Sequence, residues 1–215
     1  MATICPTITA STEQDYHKQM ETVARFIERV HLDLADGIFA PTKLISPQNA
    51  WWPVGIKADL HLMYEDPLEA AKVILEHKPN MIVVQAEAKG NFEEVLKLCR
   101  SLGVSVGVAL LAKTEAETII PALDQIDHVL IFSGNLGYQG GSSVDFSLLD
   151  KVAFLKSHKP DLEIGWDGGV NDQNVSRLIL GGVDVLNVGG FIQNADNSEK
   201  AFQTLKRIAD ETGTT

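Results

Sequence analysis

Three short stretches, His31-Leu32-Asp33, Asp59-Leu60-His61 and Trp166-Asp167-Gly168-Gly169, hold the residue types that make a divalent-metal site. Imidazole nitrogen and carboxylate oxygen together suit zinc, iron(II), manganese(II) or cobalt(II), and the set does not choose among them. Each piece alone has an ordinary reading. A lone His in an apolar run is a hydrogen-bonded core residue, and an Asp before two glycines is a turn residue. Their joint placement changes the weight. Each stretch closes an apolar run, and alternate residues of a strand share a face, so His31 and Asp33 point to one side. Two histidines and two aspartates brought to one rim are costly to bury without a shared purpose.

Glycines form a second constellation. Gly134, Gly137, Gly140 and Gly141 punctuate one segment, Gly168-Gly169 a second and Gly189-Gly190 a third. Glycine lets backbone N–H groups approach an anion closely, and loops so built cradle phosphate. The plain alternative is turn chemistry, but three such loops in succession favour the cradle.

The elements that must position these groups are strand-like apolar runs alternating with amphipathic stretches. The runs are Thr3–Pro6, Arg29–Asp33, Ile56–Met63, Met81–Gln85, Val104–Leu111, His128–Phe132, Leu162–Asp167 and Val183–Val188. Several are apolar at nearly every position, as strands covered on both faces are. Between them lie helix-start signals: Ser11 with Gln14, Asp66-Pro67 with Glu69, Asn91 with Glu94, and Thr114 with Glu117. Asp145 and Asn171 are further expected caps. Gly181-Gly182 is an expected helix end, and a last helix is expected over Ser198–Asp210. In the first helix, Met20, Val23, Ala24 and Ile27 form one stripe.

Eight βα units in 215 residues, about 27 residues each, fit a closed (β/α)8 barrel or an open doubly wound sheet. The count, the lack of any composition shift and the absence of a dinucleotide fingerprint after the first strand favour a single TIM barrel over residues 1–215. In such a barrel the C-terminal strand ends carry function, and the loops after the last strands bind phosphate.

Composition narrows the partners. The net charge is −11 and no basic run is present, which argues against nucleic acid. No apolar run approaches the ~20 residues of a membrane span. Cys5 and Cys99 make no disulfide framework, and the opening Met-Ala-Thr-Ile-Cys-Pro lacks signal-peptide character, so a cytoplasmic setting is expected.

His31-Leu32-Asp33-Leu34-Ala35-Asp36-Gly37-Ile38-Phe39-Ala40-Pro41 resembles the strand-two signature of the ribulose-phosphate 3-epimerase family. Asp59-Leu60-His61-Leu62-Met63 and Trp166-Asp167-Gly168-Gly169-Val170 resemble its motifs at strands three and seven, and the likeness runs from Pro6 to about Ile192. The resemblance implies a ribulose-phosphate-binding barrel with one divalent ion on His31, Asp33, His61 and Asp167. It also implies that Asp33 removes a proton at C3 and Asp167 delivers one to the opposite face. Thr7, His61, Gly137, Tyr138, Gln139, Gly140, Gly168, Gly169, Gly189 and Gly190 are the implied substrate contacts. The implied partner is a small phosphorylated ketose, and the implied assembly a homo-oligomer.

Departures from the family pattern are concentrated in the pocket wall. Thr7 stands for a serine, Gln85 for a histidine after strand four, and Leu111-Ala112-Lys113 for lysine-proline-glycine after strand five. The strand-six motif reads Leu136-Gly137-Tyr138-Gln139-Gly140-Gly141, and Gly189-Gly190 replaces glycine-serine. Ala35 stands for a methionine, which predicts space for a longer, six-carbon ketose phosphate. Two other readings are a related phosphate-barrel decarboxylase or aldolase, whose Asp-x-Lys-x-x-Asp motif is missing here, and a non-catalytic sugar-phosphate binder. Trp51-Trp52-Pro53 is expected at a helix or subunit contact. His17, His77 and His158 are expected in solvent, His128 as structural, Cys99 as buried, and Cys5 as a possible wall of the pocket.

Overall fold

The computed structural model describes residues 2–213. Eight parallel strands close into a barrel in chain order: β1 (Thr3–Thr9), β2 (Arg29–Ala35), β3 (Lys57–Met63), β4 (Met81–Gln85), β5 (Ser105–Leu111), β6 (His128–Phe132), β7 (Glu163–Asp167) and β8 (Val185–Val188). The closed sheet is the fold the alternating pattern predicts. Strand ends differ at two places that matter. β1 continues to Thr9 and β2 to Ala35, so that Thr9 comes to lie beside Asp33 and Asp33 beside His61.

Helices α1 (Glu13–Val23), α2 (Leu68–Leu75), α3 (Phe92–Ser101), α4 (Leu149–His158), α5 (Val175–Leu180), α6 (Gly190–Gln193) and α7 (Ser198–Thr212) cover the barrel. Asn91 caps α3 as expected, its side chain accepting from Glu94 N. Asp145 caps the short 3-10 turn Phe146–Leu148 that leads into α4. Asp66 accepts from Leu68 N but is not the cap of α2, whose N-cap is Pro67 without a side-chain bond, and Glu69 turns outward to Lys72, so the expected box does not form.

Four further expectations are corrected. The first helix is capped by Thr12 with Asp15, not by Ser11 with Gln14. Its buried stripe is Tyr16, Met20 and Val23; Ala24 ends the helix and Ile27 lies past it. The residues after Thr114 form no α-helix. Ala116–Gln125 is a 3-10 stretch without a side-chain cap, because Pro121 removes an N–H from its interior. Asn171 is not the cap of α5, which begins after Asn174; its side chain makes a local turn to Gln173 N at 2.9 Å.

The main apolar core lies between the sheet and the helices, and includes Trp166, Tyr16 and Met20. Tyr16 also explains the tryptophan stretch: its hydroxyl donates to Trp51 O and accepts from Trp51 N, holding that segment on α1. His17, His77 and His158 are exposed, while Cys99 is buried, as the sequence predicts.

The N-terminal end of the barrel is closed by charge pairing. Arg29 meets Asp59 at 2.5 Å and clamps both oxygens of Glu163 at 2.8 and 2.9 Å. His128 joins Glu163 at 2.8 Å, and Asn80 donates to Asp59 at 2.6 Å. His128 is therefore structural. Gly165 makes room for it, because a Cβ there would sit 2.5 Å from His128 Nε2.

Candidate active site

At the opposite end, β2 presents His31 and Asp33, β3 presents His61, and β7 ends in Asp167. One ligand atom from each lies within 4.8 Å of the others. His61 Nδ1 is 3.0 Å from Asp33 Oδ1. His31 Nε2 is 3.3 Å from Asp33 Oδ1 and 3.5 Å from Asp167 Oδ2. His31 Nε2 and Asp167 Oδ2 are both buried and form no hydrogen bond. Buried orphans of this kind need an account, and facing ligand atoms in a His2Asp2 set are what a divalent cation satisfies. The donor set therefore fits a metal.

Burial opposes charge throughout the cluster, and neighbours decide the outcome. Asp33 ionises well below the usual carboxylate range, because the imidazoles of His31 and His61 outweigh its burial. Asp167 goes the other way: burial and then the charge of Asp33 push it up to about 7. His31 is raised because Asp33 overcomes its burial, whereas burial prevails at His61 and lowers it. The two aspartates are thus pulled apart, Asp33 towards the ionised form and Asp167 towards the protonated form.

Three residues support the cluster: Thr9 and Asn187 are not evident from the sequence, and Gln85, expected in the pocket wall, lies behind His61 instead. Thr9 Oγ1 donates to Asp33 Oδ2 at 2.7 Å. Gln85, at the end of β4, lies 2.7 Å from His61 Nε2, and Asn187 on β8 lies 3.1 Å from His31 Nδ1. The available signal for Asn187 is that it is the lone polar residue in the buried run Val185–Val188.

Above the cluster is a cavity of about 280 Å³. Asp33, Asp167 and Asn187 reach it from below, and Thr7, Gly137, Tyr138, Gln139, Gly140, Gly168, Gly169, Gly189 and Gly190 line it. Thr7 Oγ1 is buried there without a partner. Gln139 Nε2 spans the mouth, donating to Thr7 O at 3.0 Å and Gln19 Oε1 at 3.1 Å. Gly168 has φ +117°, and a Cβ on it would lie 2.4 Å from Gly134 N, so only glycine lets the β6 and β7 loops meet.

Several expected wall residues sit elsewhere. His61 is fully buried beneath the cavity and does not line it. Cys5 is buried inside the barrel away from the wall, and burial pushes its thiol well up, so it stays protonated. Ala35 opens no space. It is buried outside the cavity wall, in a small apolar cluster with Ala40, Leu44 and Met63 against which Phe39 and Leu136 pack. A larger hollow, about 750 Å³, opens at the charge-paired end, but Arg29 and Glu163 there already satisfy each other.

Residues 3–193 match the model of the ribulose-phosphate 3 epimerase family. The chain belongs to the ribulose-phosphate 3-epimerase family. The family match spans His31, Asp33, His61 and Asp167 and the glycine loops above them. A ribulose-phosphate 3-epimerase of Helicobacter pylori strain 26695 is 28% identical over 211 residues, covering 95% of this chain and 97% of the relative. That of Bacillus subtilis is 30% identical over 185 residues, covering 82% and 85%. Among solved structures, 3-hexulose-6-phosphate synthase from Salmonella typhimurium superimposes with a TM-score of 0.72 at 11% identity, covering 98% of this chain and 99% of that one. KGPDC from Streptococcus mutans gives 0.72 at 11% identity, covering 99% of each chain. At such identities these structures share the barrel alone with this epimerase-family chain.

Proposed function

We propose that this chain is a metal-dependent ketose-phosphate 3-epimerase, with the barrel as the one unit that carries the activity. The carrying observation is the His31, Asp33, His61 and Asp167 set, mutually within 4.8 Å, directly beneath a glycine-lined cavity. His31, Asp33, His61 and Asp167 would hold one divalent ion (zinc, iron(II), manganese(II) or cobalt(II)). When bound, the ion supplies Lewis-acid stabilisation of the negative charge that develops on the sugar oxygens.

The chain's own residues do the proton work. Asp33, ionised, takes the proton at C3; Asp167, holding a proton, returns one to the other face, which inverts the centre. Thr9 steadies the Asp33 carboxylate. Thr7 offers a hydroxyl to the sugar, and the backbone of Gly168, Gly169, Gly189 and Gly190 would receive the phosphate, so a net charge of −11 is no obstacle.

The substrate reading favours a five-carbon ketose phosphate such as ribulose 5-phosphate over a six-carbon one. The cavity, about 280 Å³, lies at the small end of ligand sites, and Ala35 adds nothing to it. Homo-oligomeric assembly goes with the family resemblance. Cytoplasmic residence goes with two unpaired cysteines, and no helix among the described residues is long and apolar enough to cross a membrane. The decisive assay is exchange of the C3 proton in deuterated water across five- and six-carbon ketose phosphates, with metal content measured on the same sample. Metal-loaded protein that exchanges no proton on any of them refutes the reading.

A further inference from the structure

β8 ends at Val188, opposite Pro6 of β1, so Thr7, Ile8 and Thr9 run past it along the rim of the site. Backbone polar groups on such an overhang still need partners, and side-chain amides supply them. Gln139 Nε2 donates to Thr7 O at 3.0 Å, and Gln193 Nε2 to the same oxygen at 3.3 Å. Gln19, half-buried on α1, meets both backbone groups of Thr9. Its Oε1 accepts from Thr9 N at 3.2 Å, and its Nε2 donates to Thr9 O at 3.2 Å. A backbone N–H only donates and a carbonyl only accepts, so these partners fix which end of the amide is which. Gln139 Nε2 also reaches Gln19 Oε1, at 3.1 Å. Gln19 thereby ties Thr9 to the loop after β6, which lines the cavity.

We propose that Gln19 is a positioning residue for proton transfer at C3, acting through Thr9 on the Asp33 carboxylate, with Gln139 joining the cavity wall to the same edge. The proposal rests on the epimerase reading above. Thr9 places its hydroxyl 2.7 Å from Asp33 Oδ2. It is the last residue of β1, so no later strand residue holds its backbone. A β-branched side chain is stiff at its first torsion, and fixing the backbone of Thr9 therefore fixes the hydroxyl. That matters because a misplacement of about 1 Å at a reacting group costs roughly 100-fold in rate. Gln19 itself does not line the cavity. Its loss therefore disturbs the setting of the base and not the seating of the sugar.

Steady-state kinetics of the metal-loaded protein on ribulose 5-phosphate test this with Gln19→Leu, Thr9→Val and the double variant. Gln19→Leu is expected to lower kcat by about 10-fold and to leave KM within about twofold. The double variant should lie within about twofold of the slower single variant, because both changes act on one carboxylate through one hydroxyl. Gln193→Leu is the control: Thr7 O keeps Gln139, so kcat should stay within about twofold of the parent. Amide exchange by NMR gives a reading without turnover, and Thr9 N–H should exchange about 10-fold faster in Gln19→Leu. Losses that multiply in the double variant would overturn the proposal and leave the epimerase reading standing. So would an effect on KM alone, an unchanged kcat, an equal loss in Gln193→Leu, or unchanged exchange at Thr9. A metal-loaded parent that turns over no five- or six-carbon ketose phosphate would overturn both. If the leucine variant fails to fold, Gln19→Glu, which keeps the acceptor and loses the donor, carries the same comparison.

Discussion

Asp33 and Asp167 share one histidine nitrogen, His31 Nε2, at 3.3 and 3.5 Å. Two carboxylates so close do not both ionise readily, and their surroundings pull them apart. Imidazoles favour the charged form of Asp33, while burial and the Asp33 charge favour the protonated form of Asp167. Inversion by two groups on opposite faces draws on an inequality of this kind, one group accepting a proton and the other supplying one.

Asp33→Asn and Asp167→Asn are each expected to lower epimerisation by about 10²–10⁴-fold, the usual worth of a placed acid or base. The two variants differ in which epimer still exchanges. Asp167→Asn should retain solvent exchange from the epimer whose proton Asp33 abstracts, and lose it from the other. Exchange followed separately from each epimer checks this, and equal loss from both would refute the division of roles.

Thr9→Val removes the 2.7 Å donor to Asp33 while keeping the side-chain shape. A hydrogen bond to a charged group contributes about 1.5–3 kcal/mol, so kcat/KM should fall by roughly 10–100-fold. Thr9→Ser should restore most of it. A valine variant as active as the parent would show that the hydroxyl only fills space.

Gly168→Ala is expected to destabilise the fold by about 2 kcal/mol or more, through strain at φ +117° and the collision with the backbone of Gly134. Denaturant unfolding measures it. Gly141→Ala is the control: it shares a positive φ, but its Cβ would meet nothing within 4 Å, so its cost should be smaller.

The charge-paired end sets an acid limit. Although burial opposes it, the bidentate Arg29 contact and the His128 hydrogen bond hold Glu163 well below its ordinary value of 4.5. A lowered folded-state value means stability that is full above pH 4.5 and lost as pH falls towards the folded value. Glu163→Gln should therefore be less stable than the parent near neutrality, and the gap between them should narrow below about pH 4.5. Thermal midpoints of both proteins from pH 7 to pH 3 test the sign, and a gap that widens in acid would reverse it. Glu163 is partly exposed, so the effect is modest and shrinks in salt.

The gathering of His31, Asp33, His61 and Asp167 was legible because it is a strand-end pattern: His31 and Asp33 are two residues apart on one strand, and His61 and Asp167 lie near the ends of two others. Its supports were not, because they arise from register between strands. Thr9 is opposite Asp33, and Asn187 opposite Asp167, only once the barrel closes. Local capping was legible at Asn91 and Asp145. It failed at Thr114, where Pro121 inside the following segment outweighs a good start signal. Ala35 teaches a related lesson. The smaller side chain is visible in the sequence, but its placement in a separate apolar cluster, packed by Phe39 and Leu136 from two different loops and not facing the cavity, is not.

Arg29 and Asp33 lie four residues apart on β2, as do Glu163 and Asp167 on β7. Arg29 grips Glu163 across the barrel floor, so the two strands are tied at one end at matching heights below the two carboxyl groups at the other. With a rise of about 3.3 Å per residue, the tie sits about 13 Å beneath the reacting plane. The same two strands thus carry a closed ion pair at one end and the paired carboxyl groups of Asp33 and Asp167 at the other, so the floor that fixes their spacing is built from residues that never meet the cavity above the cluster.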